Sequence, residues 1–381
     1  MTIAVLGAGM IGRAIALDLA NHFTVTSFDL SAANLAQVRL RNNQVQTIEA
    51  DLSDYAKYSS WLAPFDLVVT AVPGFMGYRT LEAVIQCGKP VVDISFFPEN
   101  VLELDALAKS RGVTAITDCG VAPGMSNLII GRHNEEMKID ALEIYVGGLP
   151  KVRKKPFQYK APFSPADVIE EYTRPARLME NGFIVTRPAL SEVEWIHFDE
   201  VGTLEAFNTD GLRSLLFTMP HIRNQKEKTL RYPGHVDIIL SLKESGFFSE
   251  QPIRIRDTEV SPLEVTSQIL FNEWKLGHEE EELTVMKVVV HGEGRSIEWN
   301  LLDYYDRETR ISSMARTTGY TCTAAVHLLT KGMFTQKGVF PPELIGNDRA
   351  CFDFVLGYLR ERNVEWKMTE RPTASLTAGG K

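Results

Sequence analysis

Ile3-Ala4-Val5-Leu6-Gly7-Ala8-Gly9-Met10-Ile11-Gly12 opens the chain: a short apolar run, then three glycines spaced G-x-G-x-x-G. Beyond them Ile11, Ala14, Ile15, Leu17 and Leu19 recur at helical spacing. A second strand candidate, Val25-Thr26-Ser27-Phe28, ends in Asp29, about 20 residues past the glycines, as the dinucleotide fingerprint requires. Gly7 permits the tight turn, Gly9 lets a pyrophosphate approach the backbone, and Gly12 lets the helix pack on the strand. Unpaired N–H groups at the helix start, around Met10 and Ile11, would face the phosphates. Asp29 would accept from the adenine-ribose hydroxyls and repel a 2′-phosphate, and no Arg follows it in Leu30-Ser31-Ala32-Ala33. The expected cofactor is therefore NAD.

Apolar runs alternate with helical patterns through the first third. Strands are expected at 2–6, 24–28, 45–49, 67–71, 90–94 and 113–117, and helices at 10–21, 31–41, 76–87 and 99–110, with a shorter piece near 55–62. Repeated βα units with buried strands predict a Rossmann-type α/β domain, a doubly wound parallel sheet over residues 1–121. At Asp118-Cys119-Gly120-Val121-Ala122-Pro123-Gly124 the alternation stops.

The texture then changes to strands at 141–146, 183–186, 285–291 and 296–302 and helices at 165–171, 262–275 and 314–330. Gly292-Glu293-Gly294 signals a hairpin between the last two strands. A second α+β domain on a mixed or antiparallel sheet, residues 122–314, is expected to hold substrate. The run Glu279–Glu282 reads as a solvated loop, and residues 367–381 as a disordered tail.

At 381 residues there is room for two cores. A net charge of −9 gives no reason to expect nucleic acid or an anionic membrane as partner. No apolar stretch approaches a membrane span, and Met1 leads straight into the first strand. Cys87, Cys119, Cys322 and Cys351 are scattered without a C-x-x-C, so neither a metal site nor a disulfide framework is expected. A cytoplasmic protein, and by base rate a homodimer, is the expectation.

Further candidates sit at strand ends, where open α/β sheets bind ligands. Asp51-Leu52 would flank the adenine, Ala71-Val72-Pro73 would lie along the nicotinamide ribose, and Ser95, just after Asp93, is a further cofactor-binding candidate. Asp93 and Asp118 each end a predicted strand. In the second half, polar and glycine-rich clusters stand out: Gly147-Gly148-Leu149-Pro150 with Tyr159-Lys160, Asn208-Thr209-Asp210-Gly211-Leu212, and Thr229-Leu230-Arg231-Tyr232-Pro233-Gly234-His235.

With GVAPG before them and Ala315-Arg316-Thr317-Thr318-Gly319-Tyr320 after, these clusters resemble, in order, the saccharopine reductase group, which includes L-lysine 6-dehydrogenases. The resemblance covers roughly residues 1–365. It implies that the C-terminal helices, 315–366, return to complete the first domain. Glutamate-forming members carry Asn-Arg-Asp-Ser where this chain has Asn208-Thr209-Asp210-Gly211, and a small uncharged residue in place of Asp93. The missing guanidinium argues against the glutamate arm of saccharopine, whose carboxylates need cations. Glu205-Ala206-Phe207 and Gly211-Leu212-Arg213 look more like lysine 6-dehydrogenases.

The resemblance thus implies hydride removal from the ε-carbon of L-lysine to NAD, giving 2-aminoadipate 6-semialdehyde and ammonia. Asp93 or Asp118 is the expected base. Arg231, then Lys160, would hold the α-carboxylate and Asp210 the α-ammonium, Thr209 would also bind substrate, and Tyr159 and His235 would position or relay protons. Cys119 is not proposed as a nucleophile. The rivals are a saccharopine or carboxynorspermidine-type dehydrogenase and a catalytically silent NAD-binding protein.

Overall fold

The computed structural model describes residues 1–277 and 280–372. Six short strands appear where the apolar runs predict them: β1 Thr2–Leu6, β2 Thr24–Asp29, β3 Gln46–Glu49, β4 Leu67–Thr70, β5 Val91–Asp93 and β6 Thr114–Ile116. All pair in parallel, in the order β6-β5-β4-β1-β2-β3. β1 is the crossover strand, with Ile3 beside Val25 on one side and Leu67 on the other. Its residues Ile3, Ala4 and Val5 are wholly buried because helices cover both faces. The strand ends on either side of such a crossover form the crevice in which α/β sheets take ligands.

The second sheet comprises β7 Ala141–Pro150, β8 Ala176–Glu180, β9 Phe183–Arg187, β10 Glu194–Phe198, β11 Gly202–Asn208 and β12 Asn224–Arg231, with the later β15 Glu282–Gly292 and β16 Arg295–Tyr304. A separate small hairpin holds β13 Ile253–Ile255 and β14 Thr258–Val260. The main order is β10-β11-β12-β7-β15-β16, mixed because β12 runs parallel to β7. The predicted hairpin is present: Gly292 pairs with Arg295 around Glu293 and Gly294, both with positive φ.

The C-terminal third returns to the first domain. Helix Ser313–Thr330 packs on helix Met10–Leu19, where a Cβ on Gly319 would sit 3.4 Å from Ile15. A further strand, β17 Gly338–Phe340, adds to the edge at β6. The chain then crosses back, and β18 Trp366–Pro372 pairs with β16. This corrects the expected tail: residues 367–372 are an edge strand, and the rest of that segment lies outside the described residues.

The acidic run also divides. Glu279 lies outside the described residues, but Glu282 is buried rather than solvated and accepts from Ser313 N–H at the start of the long helix. Burial pushes its carboxyl up to about 8. No described helix is long and apolar enough to cross a membrane.

Candidate active site

The glycine loop turns out of β1 with Gly7 at φ 106°, and a Cβ there would lie 2.3 Å from Ala71 O. A Cβ on Gly12 would lie 2.1 Å from Gly7 O. Both glycines are dictated by backbone packing. Gly9 is different: nothing lies within 4 Å of its would-be Cβ, and it begins helix Met10–Leu19 with no side-chain cap. The loop therefore offers an open, uncapped helix start that suits a dinucleotide pyrophosphate. Asp29 Oδ2 accepts from Ala8 N–H at 2.6 Å and Oδ1 from Ser31 N–H at 2.7 Å, tying β2 to this loop. Gly9→Ala should keep the wild-type melting temperature yet weaken dinucleotide binding by about tenfold or more, in a fluorescence titration. Wild-type affinity would remove Gly9 from the site.

Asp51 follows β3 and accepts from Ser53 N–H and its hydroxyl, so its carboxylate serves its own turn. Ala71 N–H donates to Leu6 O at 2.8 Å, and Pro73 precedes helix Gly74–Gln86. Val72 and Leu52 are buried beside these turns.

Asp93 ends β5 and is wholly buried. Thr70 Oγ1 donates to its Oδ1 at 2.6 Å, while Oδ2 and the Ser95 hydroxyl make no hydrogen bond. Burial, with the nearby charge of Asp118, pushes its pKa up to about 7 against the hydrogen bonding of Thr70. Asp118, beyond β6, adopts φ 52° and pairs with Arg213 Nη2 at 2.8 Å, both side chains being buried. Arg213 comes from the second domain, and its guanidinium lies 4.6 Å from the Phe97 ring centroid. Arg174 stands over Phe96 at 5.3 Å and pairs with Glu170.

Arg174 Nη1, Arg213 Nε and Nη1, and Thr117 Oγ1 are buried without hydrogen-bond partners. Buried polar atoms are normally satisfied. A cluster of unmet donors and acceptors, shared with Asp93 and Ser95 across the domain junction, marks where a polar substrate would fit. Asp167 joins the halves by accepting from Gly74 N–H at 3.2 Å, and burial pushes it up to about 6.

Several expected substrate contacts lie elsewhere. Arg231 is 2% exposed and pairs with Glu171 at 2.7 Å. It also donates to Tyr172 OH at 3.0 Å, Leu230 O at 3.0 Å and Tyr159 OH at 3.3 Å. His235 Nδ1 donates to Phe157 O and Nε2 accepts from Tyr172 OH, each at 2.9 Å. Burial and the Arg231 charge push this imidazole down to about 3, so it is neutral. Arg231, Tyr159 and His235 thus close on one another in an aromatic core around Trp274.

Lys160 donates to Glu273 O. Asp210 is held by Arg177 through two bonds of 2.9 and 2.8 Å, which leaves no free carboxylate edge for an α-ammonium. Thr209 donates to Glu227 at 2.6 Å. The cations that stand at the junction are Arg213 and Arg174. Arg213 stands within the Asn-Thr-Asp-Gly-Leu-Arg stretch, but Arg174 carries no local signal.

A glycine loop opening an uncapped helix after β1, in a parallel sheet joined to a second sheet, is the architecture of a dinucleotide-binding protein. Residues 3–116 match the saccharopine dehydrogenase NADP binding domain and residues 120–364 the saccharopine dehydrogenase C-terminal domain. The chain belongs to the saccharopine dehydrogenase family.

It is 25% identical over 231 residues to the alpha-aminoadipic semialdehyde synthase of Arabidopsis thaliana, covering 57% of this chain and 22% of that protein. It is 26% identical over 265 residues to the saccharopine dehydrogenase (NADP(+), L-glutamate-forming) of Pyricularia oryzae, covering 66% and 58%. The enzyme of the same name from Schizosaccharomyces pombe is 27% identical over 290 residues, covering 71% and 64%. The chain thus spans less than two thirds of these relatives. The fold matches that of apo saccharopine dehydrogenase (L-Glu forming) from Saccharomyces cerevisiae, with a TM-score of 0.78 at 18% identity over 97% of this chain and 99% of that one.

Proposed function

We propose that the chain oxidatively deaminates the ε-amine of L-lysine with NAD, giving 2-aminoadipate 6-semialdehyde, ammonia and NADH. The observation that carries this reading is Asp93, a buried carboxyl with an unmet oxygen and a pKa of about 7 at the end of β5. Hydride leaves readily only from the carbon of a neutral amine. A lysine ammonium titrates near 10.4, so holding it neutral at pH 7 costs roughly 4–5 kcal/mol. A dry site with a base matched to neutral pH offsets that cost.

NAD, when bound, supplies the hydride acceptor. Asp93 takes the ammonium proton at Oδ2. Arg213 and Arg174 hold the α-carboxylate through their unfilled N–H groups. Water then hydrolyses the imine to aldehyde and ammonia. Asp29 supports NAD as the acceptor, since a 2′-phosphate would meet its charge.

Saccharopine oxidation is the second reading. The relatives' names and the two unfilled guanidinium groups favour it. Against it, Arg174, Arg177 and Arg213 each already face a carboxylate, namely Glu170, Asp210 and Asp118. With Asp93 and Asp167 added, the shell is poorly suited to a substrate with three carboxylates.

The test is NADH formation from L-lysine, L-saccharopine and L-ornithine. Lysine should give turnover at least tenfold above the other two. Saccharopine oxidation without lysine turnover would overturn the reading.

A further inference from the structure

β4 and β5 read Leu67-Val68-Val69-Thr70 and Val91-Val92-Asp93, apolar up to the last residue of each. Those two last residues lie side by side. Thr70 is in register with Asp93 on one side and with Leu6 of β1 on the other. Both are wholly buried. The backbone is fixed here, since Thr70 O accepts from Ile94 N–H at 3.1 Å and Asp93 O from Cys119 N–H at 2.9 Å. Thr70 is branched at Cβ, which restricts its χ1, and a valine would fill the same space. What threonine adds is a hydroxyl, and that hydroxyl donates to Asp93 Oδ1 at 2.6 Å.

The bond is one-sided. Buried side-chain oxygens are normally hydrogen-bonded, yet Asp93 Oδ2 has no partner among the described residues. Ser95 stands near the carboxyl, but its hydroxyl makes no hydrogen bond. Oδ2 is therefore the oxygen left for a proton. A proton arriving there leaves the Thr70 bond to Oδ1 intact, so the carboxyl keeps one orientation in both charge states. The other titratable groups facing Asp93 are Asp118, which is paired with Arg213, and the thiols of Cys119 and of Cys322 on helix Ser313–Thr330. Burial holds both thiols neutral. Thr70 is the donor that most favours the ionised carboxyl.

We propose that Thr70 is a positioning residue for proton transfer: its hydroxyl holds Asp93 Oδ1 and thereby presents Oδ2 to the substrate ammonium. The proposal rests on Asp93 acting as the base in the lysine reaction. Thr70 acts through Asp93 alone.

The test compares Thr70→Val, Thr70→Ala and Thr70→Ser with the wild type, each as the full chain. Two quantities are followed. One is the pH profile of kcat for lysine oxidation. The other is the titration of the Asp93 carboxyl by carbon-13 NMR of aspartate-labelled protein, its signal assigned by its loss in Asp93→Asn. Thr70→Val should move both midpoints up by about one pH unit and lower kcat at pH 7 by about fivefold or more. Thr70→Ser keeps the hydroxyl and should return both midpoints to about the wild-type value. Thr70→Ala should match Thr70→Val, and it keeps the test open if the valine variant fails to fold. Unchanged midpoints in the valine and alanine variants would overturn the proposal. So would a carboxyl titration that moves while the pH profile does not, which would assign Thr70 to the fold. Either result in an enzyme that oxidises lysine sinks the role of Thr70 alone, whereas a wild type that does not oxidise lysine sinks the lysine reading and this role with it.

Discussion

Asp93→Asn should lower kcat for lysine oxidation by about 10²–10⁴ and abolish the rise of rate with pH around 7. Only the ionised carboxylate accepts a proton, so wild-type turnover should climb as pH passes through about 7. Stability should move the other way. The folded-state pKa lies above the ordinary carboxyl value, so Asp93's contribution is fully present below that ordinary value. It is lost as pH rises through about 7. The penalty at pH 8 is at most on the order of 4 kcal/mol. Asp93→Asn should therefore melt higher than the wild type at pH 8 and about equal to it at pH 4. A variant with wild-type kcat across pH would take Asp93 out of the chemistry, whatever its melting temperature.

Arg213→Ala should destabilise the fold by about 3–5 kcal/mol, because it strands a buried Asp118 carboxylate. That loss alone would not distinguish a structural pair from a substrate contact. The double variant Asp118→Asn/Arg213→Met removes both charges and should recover most of the stability. Its KM for lysine should nevertheless stay about tenfold or more above the wild type, since the α-carboxylate has lost a charge-assisted partner. A stable double variant with wild-type KM would assign Arg213 to the fold alone.

The first domain was legible because its strands are short, apolar and buried on both faces, and because acids at strand ends have a general meaning in such sheets. Asp93 and Asp118 emerged that way. The second sheet obscures itself. β12 reads Asn-Gln-Lys-Glu-Lys-Thr-Leu-Arg, yet Glu227, Lys228 and Arg231 are buried, each paired with a residue distant in sequence, and Gln225 is buried against the turn carbonyls of Met219 and Ile222. No alternation survives such pairing.

Gly147 and Gly148 look like a turn but lie inside β7, where added Cβ atoms would come within 2.8 Å of Leu230 and 2.5 Å of Pro162. That demand is tertiary. One missed signal was readable: Asn181-Gly182, both with positive φ, turns β8 into β9. Arg174 could not have been found, because what distinguishes it is the ring of Phe96 beneath it, contributed by the other domain.

The return of β17 to the first sheet, and of β18 to the second, has a consequence for movement and for dissection. Neither domain is one continuous stretch, so no pair of cut points releases either intact. The polypeptide passes between them after β6, again after β16, and a third time before β18. Any opening that admits a substrate and releases its product must turn all three passages together. A protein ended before residue 338 would bare the edge of β6, leaving an unpaired strand edge open to aggregation.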